Sequence, residues 1–97
     1  MLSMTDFASL QITVYGRVQG VYFRAFTSKH ANELGLNGYV RNLADWRAVE
    51  VQAEGERNKL KRLIECLKIG PPEAMVERIE TNWSEYSGNY PHFSIRS

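Results

Sequence analysis

Leu10, Ile12 and Val14 alternate with Gln11, Thr13 and Tyr15. That period of two predicts a strand with one face buried. Beyond the loop GRVQGVY the period changes. Phe23, Phe26, His30, Ala31 and Leu34 recur at helical spacing, and Gly35 supplies a stop. NGYVRNL, residues 37–43, predicts a second strand, and ADWR a turn. Val49, Val51 and Ala53 then alternate with Glu50, Gln52 and Glu54, so a third strand closes an antiparallel hairpin on the second. Leu60, Leu63, Ile64 and Leu67 form the stripe of a second helix, ended by GPP at 70–72. In AMVERIETNW a fourth strand is expected, but Val76 and Ile79 are three apart, which implies a broken alternation or a bulge. Phe93 and Ile95 alternate with Ser94 and Arg96 in a short closing strand.

The order β-α-β-β-α-β with one added strand suits a ferredoxin-like α+β sandwich, a mostly antiparallel sheet carrying two helices on one face. A chain of 97 residues is one domain by size. We expect it over 9–97, after a flexible tail at 1–8. At 43% hydrophobic and 24% charged, the composition is that of an ordinary globular domain. Twelve Lys and Arg against eleven Asp and Glu leave a net charge of +1, which offers no electrostatic case for nucleic acid or a membrane surface as partner. No apolar run approaches the roughly 20 residues of a membrane span, and MLSMTDFAS does not read as a signal peptide. Cys66 has no internal partner for a disulfide, which points to a reducing, cytoplasmic compartment.

The stretch GRVQGVYFR, residues 16–24, has two glycines, two arginines and no acid. It leaves a strand and enters a helix, where the first amides lack internal partners and sit at the positive end of the helix dipole. Gly16 and Gly20 can take positive φ, which lets successive N–H groups converge on an anion. Arg24 adds a planar donor fork suited to phosphate oxygens. The spacing is neither the dinucleotide fingerprint nor the P-loop, so from the residues alone a plain strand-to-helix loop with surface arginines remains open. Asn42 shares a strand face with Val40, opposite Arg41 and Leu43. Its uncharged carboxamide both donates and accepts, and it can hold a water without repelling an anion.

VYGRVQGVYFR, GYVRN, VEVQAEG and the terminal FSIR together resemble the acylphosphatase family, over Leu10 to Arg96. The resemblance implies a small cytosolic hydrolase that cleaves the carboxyl–phosphate bond of acyl phosphates without a metal or cofactor. It places the catalytic arginine on Arg24 and the catalytic asparagine on Asn42. The phosphate-binding loop falls on Gly16, Arg17, Val18, Gln19, Gly20, Val21 and Tyr22, and the substrate, a small acyl phosphate, is the one partner of an expected monomer. Two departures stand out. Tyr22 puts a ring before Phe23 at the mouth of the loop. The hairpin after Asn42 is expected to carry Asp-Gly but reads LADWRAVE, with Trp46 in place of the glycine and one residue more, so the turn type must differ.

Other residues have plainer readings. The Arg17 side chain is expected to face solvent, and His30 to be a partly buried, hydrogen-bonded histidine. Cys66, His30 and His92 match no metal spacing. Trp83, Tyr86 and Tyr90 are read as packing residues. A ferredoxin-like RNA binder would place aromatics on its central strands, and AVEVQAEG has none. A metal carrier would want Cys-x-x-Cys. A family member that binds phosphate or acyl phosphate with little turnover is the remaining alternative, and the presence of both Arg24 and Asn42 weighs against it.

Overall fold

The computed structural model describes residues 6–44 and 47–97. Seven elements follow one another: β1 (Phe7–Arg17), α1 (Phe23–Glu33), β2 (Asn37–Asn42), β3 (Ala48–Glu56), α2 (Arg57–Ile69), β4 (Met75–Glu85) and β5 (Phe93–Arg96). The strands form one sheet in the order β4-β1-β3-β2-β5. β1 is antiparallel to β3 and β4, β2 is antiparallel to β3, and β5 lies parallel to β2. Each helix therefore connects two parallel strands with a third between them, the split βαβ arrangement. The ferredoxin-like sandwich is what the element order predicts.

The core follows from period-two alternation. Leu10, Ile12 and Val14 of β1 face the same side as Val49, Val51 and Ala53 of β3 and Val40 of β2, and all are fully buried. α1 packs on β2 and β5, and α2 on β1, β3 and β4. Phe23, Thr27 and Ala31 bury one face of α1; Leu60, Leu63 and Leu67 do so for α2. Thr27 is a polar residue inside that face. Its hydroxyl donates to the Phe23 carbonyl at 2.9 Å, so it is satisfied within the helix. His30 is half-buried, stacks on Phe26 at 4.4 Å and reaches Glu33 at 3.7 Å.

β1 begins at Phe7 and Ala8 is buried, so the end of the segment expected as tail is strand; residues 1–5 lie outside the described residues. The broken alternation in the fourth strand is a bulge. Tyr15 pairs with Arg78 and Gly16 with Val76, so Glu77 is the extra residue. Gly16 (φ +135) makes the close approach possible, because a Cβ there would run into the Met75 carbonyl. The open sheet face is polar. Glu50 accepts from Arg41 Nε at 2.7 Å, Tyr39 Oη at 3.1 Å and Gln11 Nε2 at 3.0 Å. Burial pushes the Glu50 carboxyl up, but these hydrogen bonds and the Arg41 charge hold it below the ordinary carboxylate value. Glu54 is likewise pushed up by burial. Hydrogen bonds from Ser87 (N at 3.0 Å, Oγ at 2.8 Å) and from Gly88 N at 2.9 Å outweigh that and lower it. Glu54 thereby ties the segment after β4 across the sheet.

Candidate active site

The 16–22 loop leaves β1 at the bulge and delivers the chain into α1. Gly20 (φ +76) and Tyr22 (φ 64, ψ 25) both adopt left-handed backbone. For Gly20 this costs little, whereas for Tyr22 it costs about 1 to 2 kcal/mol. The two reversals turn the backbone so that the N–H groups of residues 20–25 meet no protein acceptor among the described residues. The first intrahelical bond at this end is Phe26 N–H to the Tyr22 carbonyl, 3.0 Å. α1 has no acid in its first turn and no side-chain cap. The result is an uncapped, electropositive helix start of the kind that receives an anion.

Arg24 and Asn42 arrive at this place from opposite directions. Arg24 sits in the first turn of α1, half-buried. Its Nη1 donates to the carbonyl of Arg96 at 3.1 Å, which anchors the guanidinium to the end of β5. Among the described residues no carboxylate lies within ion-pair distance of it. Asn42 is the last residue of β2, opposite Val49, on the same face as Val40. Its carboxamide has no hydrogen-bond partner among the described residues, yet it is not sealed from solvent. Both residues line one cleft of about 430 Å³ with Gly20 and Tyr22; Val18, Phe23, Ala25 and Ile95 complete its walls.

The rest of the predicted loop divides. Val21 turns its side chain into the core, 4% exposed, and can offer only its amide. Arg17 is exposed and lines a separate, smaller cleft with Gly16, Gln19 and Arg47. Gly16 belongs to β1, at the start of the predicted loop. Its N–H donates to the Arg47 carbonyl at 2.9 Å, so that amide is already used in holding the β2–β3 connection. Gln19 is a member of the loop that the resemblance assigns to phosphate. Its side chain does something else: Nε2 donates to the carbonyls of Leu43 (3.1 Å) and Ala48 (2.8 Å). Those carbonyls flank the hairpin that carries Asn42, so Gln19 fixes the distance between loop and asparagine. No local pattern signals that role, nor those of Ile95 and the Arg96 carbonyl, because all three depend on which strands become neighbours. Asp45 and Trp46, the hairpin tip read as a departure, lie outside the described residues. Among the described residues no three His, Cys, Asp or Glu side chains gather as metal ligands.

Fold and site together define a ferredoxin-like α+β domain in which an uncapped helix start and a strand-borne asparagine line one cleft. The family model for acylphosphatase matches residues 10–95. An acylphosphatase of Dehalococcoides mccartyi strain CBDB1 is 47% identical over 87 residues, covering 90% of this chain and 96% of that protein. The crystal structure of acylphosphatase from Bacillus subtilis superposes with a TM-score of 0.89 at 38% identity, covering 93% of this chain and 99% of that one. An acylphosphatase from Coxiella burnetii gives a TM-score of 0.89 at 36% identity, over 98% and 100% of the two chains. The chain belongs to the acylphosphatase family.

Proposed function

We propose that the chain hydrolyses the carboxyl–phosphate bond of acyl phosphates, with Arg24 and the 16–22 loop binding the phosphoryl group and Asn42 positioning the attacking water. The supporting observation is that Arg24, Asn42 and the helix start whose amides meet no acceptor among the described residues line one cleft.

The chemistry follows from charge. The phosphoryl oxygens are anionic, and neutralising their charge opens the phosphorus atom to the incoming water. Amides at a helix start and a bidentate guanidinium supply that neutralisation without proton transfer. Asn42 then holds a water on the side of phosphorus away from the acyl oxygen. The water oxygen forms a bond to phosphorus as the bond to the acyl oxygen breaks, and the carboxylate departs with the electron pair. One water proton passes to a phosphoryl oxygen of the substrate itself. A carboxylate, with a conjugate acid near pH 4 to 5 (about 4 for side-chain carboxyls), leaves without needing an acid to protonate it. Positioning and charge stabilisation are then sufficient, as in phosphoryl transfer generally.

No helix among the described residues is long and apolar enough to cross a membrane. A cytoplasmic monomer acting on a small diffusible substrate fits this reading. The deciding assay is hydrolysis of benzoyl phosphate by the wild-type chain, with and without a chelator. Turnover that survives chelation supports the reading. Binding of inorganic phosphate without turnover would replace the enzyme with a phosphate-binding module.

A further inference from the structure

Tyr22 is the only described non-glycine residue with positive φ, and its side chain is 80% exposed. A glycine would adopt this backbone with less strain, so the fold gains nothing from a side chain here. The core gains nothing either, since the ring lies outside it. Yet Tyr22 lines the cleft that holds Arg24 and Asn42. Ile95 lines it too, 49% exposed, on β5 opposite Val40 and therefore on the face that presents Asn42 two residues farther along β2. The cleft is larger than a phosphoryl group requires and falls within the range of small-organic-ligand sites.

We infer that Tyr22 and Ile95 form an apolar seat for the acyl group and select acyl phosphates with an aromatic or branched acyl portion over acetyl phosphate. This rests on the acylphosphatase reading. An apolar contact of methylene size discriminates between substrates by roughly 10- to 200-fold, so the seat should show in kcat/KM.

The experiment compares benzoyl phosphate with acetyl phosphate for the wild type, Tyr22→Gly and Ile95→Ala, with thermal unfolding of each. The change of the benzoyl-to-acetyl ratio between proteins cancels the difference in intrinsic reactivity of the two substrates. The ratio should fall several-fold in each variant. Tyr22→Gly should unfold at no lower temperature than wild type, which separates lost selectivity from damage to the fold. A ratio unmoved in both variants overturns the acyl seat while leaving the enzyme intact. Absence of turnover of either substrate by the wild type overturns the underlying reading instead.

Discussion

Arg24 carries two demands that pull on the same side chain. Its Nη1 is committed to the Arg96 carbonyl, and the residue also lines the cleft proposed to hold phosphate. Lysine would keep the charge and lose the planar fork, so it cannot serve both partners in fixed geometry. Arg24→Lys should lower kcat/KM by about 10² to 10³, the range for removing one preorganised donor, and should weaken inhibition by inorganic phosphate. Activity within threefold of wild type would remove Arg24 from its clamping role. Asn42 is expected to behave differently, because the role proposed for it is to position water and not to bind phosphate. Asn42→Ala should reduce kcat by about 10² to 10³ with phosphate inhibition nearly unchanged. Loss of phosphate binding in that variant would show that Asn42 is a phosphate ligand.

At the level of elements, what matters is how the loop and the sheet are held in register. Gln19 joins the loop to the β2–β3 hairpin through two carbonyls. Gln19→Glu keeps the shape but turns a carboxylate toward both acceptors and adds negative charge to the loop proposed to bind phosphate. That variant should lose about 0.5 to 1.5 kcal/mol of stability for each part-buried hydrogen bond removed, read from urea unfolding. It should also lose more activity than Gln19→Leu. Equal activity of the two would exclude an electrostatic cause. On the opposite sheet face, Glu54 holds the segment after β4 by three hydrogen bonds. Its carboxyl, like that of Glu50, is lowered in the folded chain. A carboxyl lowered by folding contributes stability at pH above its unfolded value, and that contribution disappears as pH falls through the folded value. The urea midpoint should therefore stay level from neutral pH down to about 5 and decline below about 4. Glu54→Gln should lower the neutral midpoint and flatten the acid decline. An unaltered acid slope would take Glu54 out of the linkage.

The molecule as a whole has one core shared by the sheet and both helices, so site and fold should fail together. Leu63 is fully buried on α2, on the helix that contributes nothing to the cleft walls. Leu63→Ala should cost about 2 to 5 kcal/mol, a large part of the roughly 5 to 15 kcal/mol typical of a domain. Loss of phosphate binding and loss of secondary structure should then trace a single transition in urea. Two separated transitions would mean that the loop unfolds apart from the core.

Much of this protein is legible locally. The alternation of Leu10, Ile12 and Val14, the helical stripe from Phe23, and the three-residue step between Val76 and Ile79 each report an element or its fault, because side-chain direction repeats every two or 3.6 residues whatever the neighbours are. The glycines report a strand-to-helix loop with left-handed backbone for the same reason: backbone freedom and helix dipole belong to the segment itself. That Gly16 spends its amide on Arg47, that Gln19 reaches Leu43 and Ala48, that the Arg96 carbonyl steadies Arg24, and that Ile95 stands beside Asn42 all depend on strand order β4-β1-β3-β2-β5. Alternation says which face a residue takes but not which strand lies next to it. Those pairings are made between segments far apart in the chain, where only the packing of both helices on one sheet decides the neighbours.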